Sequence, residues 1–185
     1  MTTPRTETAM ARQATDLMAQ YAAYHRDRRN IATHFVGIPL IVFAIGVLLA
    51  RAQFHVGDWT VSAAWLVWGG ATIWYLTRGN FVLGLSTALV NAVLMALAHP
   101  LADGSFGGWL AWGLGSFIVG WIIQFVGHYY EGRKPAFVDD LVGLLVGPMF
   151  VVGEALFAMG WGRDLLAEIE RRAGPTHLRD LTHPA

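Results

Sequence analysis

The chain has 185 residues, of which 55% are hydrophobic and 14% charged, against about 25% charged in ordinary soluble domains. Thirteen basic and thirteen acidic residues cancel, which excludes the basic surface that nucleic-acid binding requires. Cysteine is absent, which excludes disulfide frameworks, thiol nucleophiles and cysteine-ligated metals. Any bound metal must therefore be held by histidine, aspartate or glutamate.

Residues 1–34 are polar and carry five of the thirteen basic residues. No apolar core of a cleavable signal peptide opens the chain. Apolar side chains recur there at alternating spacings of four and three, which predicts an amphipathic helix lying at the membrane surface. The apolar face of this helix is formed by Met10, Ala14, Leu17, Tyr21 and Tyr24.

Five long apolar stretches follow, and a helix of about 20 residues suffices to span the hydrocarbon core of a bilayer. The second to fourth carry no charge and read as good spans, whereas the fifth contains Pro148 and Glu154 and is expected to kink or to dip in and return. Small residues four apart, as in Ser116–Gly120 and Gly143–Gly147, favour close helix packing in lipid. The stretches are Phe35–Ala50, Trp59–Leu76, Phe81–Ala98, Trp109–Val126 and Leu141–Met159.

We therefore predict an all-α integral membrane bundle of four to five apolar segments with an N-terminal amphipathic helix. Its expected divisions are an N-terminal tail and interfacial helix (1–30), a membrane bundle with a metal site (31–161) and a C-terminal part (162–185). That last part begins with a second amphipathic helix, Arg163–Ala173, which Gly174 and Pro175 terminate.

The basic residues predict the orientation, because loops rich in Lys and Arg stay in the cytoplasm. With the N-terminus inside, eight basic residues precede or connect the spans on that side and only Arg51 lies opposite. The four arginines after residue 160 also fall inside if the fifth stretch is re-entrant or the number of spans is even. The composition is typical of a bacterial source, so we expect the inner membrane.

Three of the seven histidines fall near the expected cytoplasmic interface although they come from distant segments: His25, His34 and His128. A shared site is one interpretation, and ordinary interfacial polar residues are the other. The four histidines that we expect to lie outside such a site are His55, His99, His177 and His183.

His25 and His34 are nine residues apart and would point to opposite faces of one straight helix. They can share a metal only if the chain bends between them, and we predict the bend at Asn30, since asparagine is a favoured N-cap. His128 and Glu131 share one helix face, and Gly132 is expected to end that helix.

Two carboxylates have alternative interpretations. Glu131 is either a fourth metal ligand or an interfacial partner of Arg133 or Lys134. Glu154, inside an apolar run, is a functional candidate by default or the partner of a buried arginine. The pair Asp139 and Asp140 reads as charges at a helix N-terminus.

Two groups of residues resemble the motifs of a small membrane family, the 2-hydroxy fatty acid dioxygenases. The first group comprises Tyr24-His25, Asn30, His34 and Gly37-Ile38-Pro39. The second comprises Gly120-Trp121-Ile122-Ile123-Gln124-Phe125-Val126-Gly127-His128, Glu131, Arg133, Pro135-Ala136, Asp139, Leu141-Val142, Pro148, Phe150 and Glu154.

The resemblance implies a non-haem Fe(II) dioxygenase that converts a 2-hydroxy fatty acid and O₂ to an aldehyde one carbon shorter. It further implies that His25, His34 and His128 are metal ligands and that Glu131 is catalytic. Supporting roles fall to Tyr24, Asn30, Gln124, Asp139 and Glu154. The expected partners are the substrate, O₂ and the lipid bilayer, and a homo-oligomer is also compatible with the sequence.

Two other classes of function stay open at this stage. A non-catalytic membrane scaffold or lipid-binding protein could keep the same fold, and a membrane protein could hold a haem between His34 and His128. Metal analysis distinguishes a scaffold or lipid-binding protein from a dioxygenase, and a Soret band in the visible spectrum would identify a haem protein.

Overall fold

Two long helices, Arg28–Ala50 and Phe106–Glu131, form the most extensive helix pair of the bundle and carry two of the predicted site histidines. The computed structural model describes residues 13–182, so Met10 and His183 lie outside the described residues. In chain order the elements are α1 (Ala14–Ala22), α2 (Arg28–Ala50), β1 (Gln53–Val56), β2 (Trp59–Ser62), α3 (Ala63–Leu76), α4 (Phe81–Ala102), α5 (Phe106–Glu131), a 3-10 turn (Ala136–Val138), α6 (Gly143–Ala158) and α7 (Arg163–Ala173).

The predicted all-α membrane bundle is confirmed. Helices α2, α4 and α5 are long and apolar enough to cross a bilayer, and the pair α6 and α7 would count as a fourth span if its 120° bend were one broken crossing. Large apolar side chains point outward from the bundle, as lipid-facing residues do. Examples are Ile73, Leu89, Val93, Leu97, Ile118 and Ile122.

Glycines set the distance between α2 and α5. A Cβ atom added at Gly37 would lie 3.0 Å from the Gly120 carbonyl oxygen, and one added at Gly120 would lie 2.7 Å from Cγ1 of Ile41. Packing in lipid relies on such close backbone approach, because lipid chains are as apolar as the helices themselves. The two helices therefore make close backbone contact within about two turns of the histidines that they carry.

The second apolar stretch is not the single span that we predicted from sequence. Its first four residues pair with β1 in an antiparallel hairpin that turns at Gly57, and only the remainder forms α3. Fourteen residues of helix measure about 21 Å, less than the roughly 30 Å of a hydrocarbon core. Helix α3 nevertheless connects the two ends of the bundle, since Ala63 N–H bonds to Ala52 at one end and the Arg78 carbonyl accepts from Ala14 at the other.

The bend before the first span occurs earlier than predicted. Helix α1 ends at Ala22, and α2 begins at Arg28 with Asp27 as its N-cap, whose carboxylate accepts a hydrogen bond of 2.8 Å from Arg29 N–H. Asn30 lies inside the first turn of α2 and is no cap. Aspartate and asparagine cap equally well, so the sequence alone did not distinguish the two positions.

The fifth apolar stretch returns to the end of the bundle from which it starts. Tyr24 bonds to Asp139 at 2.8 Å just before α6, and Arg172 of α7 pairs with Asp16 of α1 at 2.6 Å. Helix α6 runs without a break through Pro148, and the sharp bend comes at residues 159–162, where Gly160 and Gly162 have φ of 88° and 70°. The tail therefore lies beside α1, as the distribution of basic residues predicts.

The glycine contact between α2 and α5 makes a testable prediction. Replacing Gly120 by Ala forces a methyl group against Ile41, and overpacking of this kind costs about 1–3 kcal/mol. We expect a lower melting temperature in detergent. Gly115→Ala on the same helix is the matched control, because no atom lies within 4 Å of its added Cβ. Equal melting temperatures for the two variants would contradict the close contact.

Candidate metal centre

Three histidines from three segments meet at the α1 end of the bundle. His25 lies in the loop between α1 and α2, His34 in the second turn of α2, and His128 in the last turn of α5. One ring nitrogen from each lies within 4.8 Å of the others. All three residues are buried, with at most 7% of their surface exposed, and a cluster of this kind is compatible with a bound metal ion.

The hydrogen bonds of His25 and His34 determine where their protons reside. Nδ1 of His25 lies 2.7 Å from the Tyr21 carbonyl oxygen, and Nδ1 of His34 lies 2.8 Å from that of Asn30. A carbonyl oxygen only accepts hydrogen bonds, so each Nδ1 must carry the proton. Each Nε2 of a neutral ring then has a free lone pair. Metal-binding histidines are oriented in the same way, by donation from the second nitrogen to a carbonyl or carboxylate.

The two lone pairs point at each other across a short distance. Nε2 of His25 and Nε2 of His34 are 3.0 Å apart, and with both protons on Nδ1 no hydrogen bond can join them. Burial, together with the neighbouring His34, holds the pKa of His25 well below its usual range, so protonation does not relieve the repulsion near neutral pH. A cation does, since two nitrogens each about 2.1 Å from one ion lie at most about 4.2 Å apart.

Glu131 supports the loop that carries His25 instead of joining the three nitrogens. One carboxylate oxygen accepts a 3.0 Å bond from Arg26 N–H, and the other accepts from Asp27 N–H at 2.8 Å and from the Asn30 side-chain amide at 3.0 Å. The alternative pairing with Arg133 or Lys134 is not formed, because Arg133 binds the Ala23 carbonyl and Lys134 pairs with Asp139. The last turn of α5 thus presents His128 to the cluster and Glu131 to the loop.

The C-terminal tail holds the same loop from the other side. His177 N–H donates to the Arg26 carbonyl and the His177 carbonyl accepts from Arg28 N–H, both at 2.9 Å. Arg179 N–H donates to the Asp27 carboxylate at 2.8 Å. Sequence reasoning missed this contact because backbone hydrogen bonds leave no signature in residue type. We refer to residues 175–179 as the tail strap.

The other predicted site residues surround the loop. Tyr24 connects it to Asp139, and Glu154 lies 4.0 Å from the buried guanidinium of Arg26, the second of its two predicted interpretations. Gln124 lies one turn before His128 on α5, and neither amide atom of its buried side chain has a hydrogen-bond partner among residues 13–182.

Two of the histidines expected outside the cluster lie at the far end of the bundle. His55 belongs to the hairpin and contacts Thr60 at 3.0 Å. His99 lies in the last turn of α4, near the end where Arg51 binds carbonyls of the α4–α5 connection.

A cavity of about 280 Å³ opens beside the cluster, between α2, α5, α6 and the 3-10 turn. Tyr21, His34, His128 and Trp121 bring polar side-chain atoms to its wall, and the other side chains of the wall are apolar. A second cavity of about 120 Å³ continues toward α3 and α4. The residues that line both cavities are Val42, Ile45, Leu144 and Pro148.

Comparison with known proteins agrees with the resemblance noted in the sequence. Residues 11–159 match the family described as 2-hydroxy-palmitic acid dioxygenase Mpo1-like, a range that contains the three histidines and Glu131. The 2-hydroxy-palmitic acid dioxygenase MPO1 of Saccharomyces cerevisiae is 33% identical over 161 residues, which cover 84% of this chain and 88% of the yeast protein. No solved structure matches the chain. Because the match covers most of both sequences, this protein belongs to the Mpo1-like family.

Proposed function

We propose that this protein is an Fe(II)-dependent dioxygenase of the membrane that shortens 2-hydroxy fatty acids by one carbon. The observation that carries the proposal is the pair of buried Nε2 atoms, 3.0 Å apart, whose lone pairs are both free. The family match supports the oxygenase class, and the substrate class follows that of the yeast relative, a 2-hydroxy-palmitic acid dioxygenase. In a bacterial cell the protein would act in the inner membrane.

His25, His34 and His128 are the residues that would hold the metal. Three neutral imidazoles suit Fe(II), and a site with three protein ligands leaves positions for substrate and O₂. Bound iron would supply the redox chemistry by which O₂ is activated. Three histidines around one point fit such a site better than a haem, whose iron offers the protein only two axial positions.

The apolar wall of the cavity suits the hydrocarbon chain of the substrate. Its wall is apolar except near the histidines, so a hydrocarbon chain would lie along α2 and α6 while the acid and hydroxyl groups face the cluster. Each buried methylene would contribute about 0.8 kcal/mol to binding. The second cavity extends the apolar path beyond Val42 and Ile45.

The overall reaction needs no cosubstrate other than O₂. The C1–C2 bond of the acid breaks, the carboxyl carbon leaves as CO₂, and C2 with its hydroxyl becomes the aldehyde. The two electrons and two protons released by the substrate reduce O₂ to the level of hydrogen peroxide, so that one acid and one O₂ give one aldehyde, one CO₂ and one peroxide equivalent. The protein's part is to hold the acid and hydroxyl groups together at the cluster and to keep the reacting end in an apolar cavity away from bulk water.

The metal ligands are tested by single substitutions. His25→Ala, His34→Ala and His128→Ala should each lose bound iron and aldehyde formation, because no other described side chain can replace the missing nitrogen. Elemental analysis and product analysis measure the two effects. His55→Ala and His99→Ala at the far end of the bundle are the controls and should retain both. Loss of iron in the controls alone would locate the metal elsewhere.

Glu131 is a positioning residue in this proposal, and its variants separate that role from metal binding. Glu131→Gln keeps one acceptor oxygen but places an amide donor against Asp27 or Arg26 N–H, so the His25 loop should loosen. We expect metal affinity to fall roughly 10- to 100-fold, as for other outer-shell substitutions, without complete loss of iron. Glu168→Gln on α7 is the control, because this half-buried glutamate pairs with Arg171 and Arg172 and does not contact the His25 loop. Complete loss of iron equal to that of His34→Ala would indicate direct ligation instead.

The substrate prediction follows from the need for two adjacent oxygen groups. A 2-hydroxy fatty acid should be consumed with O₂, whereas the unsubstituted acid and the 3-hydroxy isomer should react poorly, because a polar site is left unpaired when its partner group is missing. Product analysis with Fe(II) and with Zn(II), which has no redox chemistry, completes the test. Turnover without O₂, or equal turnover with Zn(II), would favour a hydrolytic or lipid-binding role.

A further inference from the structure

Tyr21, near the end of α1, joins the histidine cluster to the cavity. Its ring stacks on that of His25, with centroids 4.0 Å apart and planes within 4° of parallel, and it also packs on Phe150. Its backbone carbonyl accepts the Nδ1 proton of His25. One residue therefore orients His25 twice, through its backbone and through its ring, and its side chain lies in the cavity wall beside His34 and His128.

The hydroxyl group of Tyr21 has no hydrogen-bond partner among residues 13–182, although only 8% of the residue is exposed. It lies beside Gly147 of α6, where an added Cβ would be 3.2 Å from the hydroxyl oxygen, and Gly147 lines the same cavity. Tyrosine hydroxyls in buried sites usually bond to a protein group. This one instead faces the space that the proposed substrate would occupy.

The cavity offers few polar groups to a ligand, and their chemistry is complementary to that of an acid. The Nδ1 protons of His25 and His34 are committed to carbonyls, whereas Nδ1 of His128 has no partner among the described residues. The Tyr21 hydroxyl is a further donor without a partner, and it lies beside Gly147 of the cavity wall. A phenol has an ordinary pKa of about 10, so at neutral pH the hydroxyl carries its proton and can donate it. A carboxylate oxygen is the strongest acceptor that a fatty acid can present to such a donor.

We propose that the Tyr21 hydroxyl donates a hydrogen bond to the carboxylate of the bound 2-hydroxy fatty acid and so fixes the acid group beside the histidine cluster. This inference rests on the proposed function, because it takes the same ligand into the same cavity. It assigns to α1, a helix at the membrane surface, the recognition of the acid group, while the tail is bound by α2, α5 and α6.

The test is Tyr21→Phe, which keeps the ring and its stacking on His25 and removes only the hydroxyl. Binding is measured in detergent by equilibrium dialysis of labelled ligands to the full chain, both metal-free and loaded with Zn(II) so that no turnover occurs. The ligands are 2-hydroxyhexadecanoic acid and 1,2-hexadecanediol, which keeps the adjacent oxygens and the tail but has no carboxylate. Tyr129→Phe, a 71% exposed tyrosine next to His128 in sequence, is the matched control.

Tyr21→Phe should weaken binding of the acid roughly ten- to hundredfold, in line with the loss of a hydrogen bond to a charged group, and leave the diol unaffected. Tyr129→Phe should bind both ligands as the native protein does. Unchanged binding of the acid, or an equal loss for acid and diol, would overturn the assignment. Elemental analysis of bound zinc shows whether the variant still binds metal as the native protein does.

Gly147→Ala provides a second variant in case Tyr21→Phe destabilises the fold. Its methyl group would stand 3.1 Å from Cδ1 of Ile38 and 3.2 Å from the Tyr21 hydroxyl oxygen, so the hydroxyl must shift by a few tenths of an ångström while the phenol itself is retained. The acid should therefore lose more affinity than the diol. Retained acid affinity in this variant would argue against the proposal. If the native protein binds the acid through Tyr21 but forms no aldehyde with Fe(II) and O₂, the proposed function fails and the recognition of the acid stands.

Discussion

The centre of this protein depends on one carboxylate that accepts hydrogen bonds from the backbone of a loop. His25 is not held by a helix, because α1 ends at Ala22 and α2 begins at Arg28. Glu131 replaces the missing helical hydrogen bonds by accepting from two successive N–H groups, those of Arg26 and Asp27. Hydrogen bonds to charged groups contribute about 1.5–3 kcal/mol each, so this carboxylate can keep a five-residue connection in one conformation.

The same arrangement relates the fold to the position of the three clustered histidines. Gly37 and Gly120 allow α2 and α5 to approach closely, which fixes His34 and His128 relative to each other on rigid elements. Glu131, which also belongs to α5, then positions His25 through its hydrogen bonds to the loop. The ring of Tyr21 and the carbonyls of Tyr21 and Asn30 complete the orientation. Two histidines are thus positioned by helix packing, and the third is positioned by hydrogen bonds.

Features with a strong periodic or compositional signal could be predicted from the sequence, and features made by backbone contacts could not. The apolar stretches predicted the bundle, the alternation of Ala14, Leu17 and Tyr21 predicted α1, and Gly132, with φ of 70°, ends α5 as expected. The hairpin was missed because Trp59 to Ser62 continue the apolar run into α3. The predicted N-cap of α2 was wrong because aspartate and asparagine cap helices equally well, so the sequence did not distinguish Asp27 from Asn30. The tail strap could not be predicted because its hydrogen bonds come mainly from the backbone.

The tail strap has a consequence for how the centre forms during synthesis. Residues 175–179 bind a loop that precedes them by about 150 positions, and loop closure over that length is an entropic cost that only the folded bundle can offset. The ribosome therefore delivers the three histidines and the membrane helices before it delivers the segment that closes over Arg26 to Arg28. Until then the His25 loop is held by segments that precede the tail strap, through Glu131, Arg133 and Asp139, so the centre passes through a stage in which the side that the tail strap covers is open. The order of synthesis therefore makes the tail strap the last of the described contacts of the His25 loop to form.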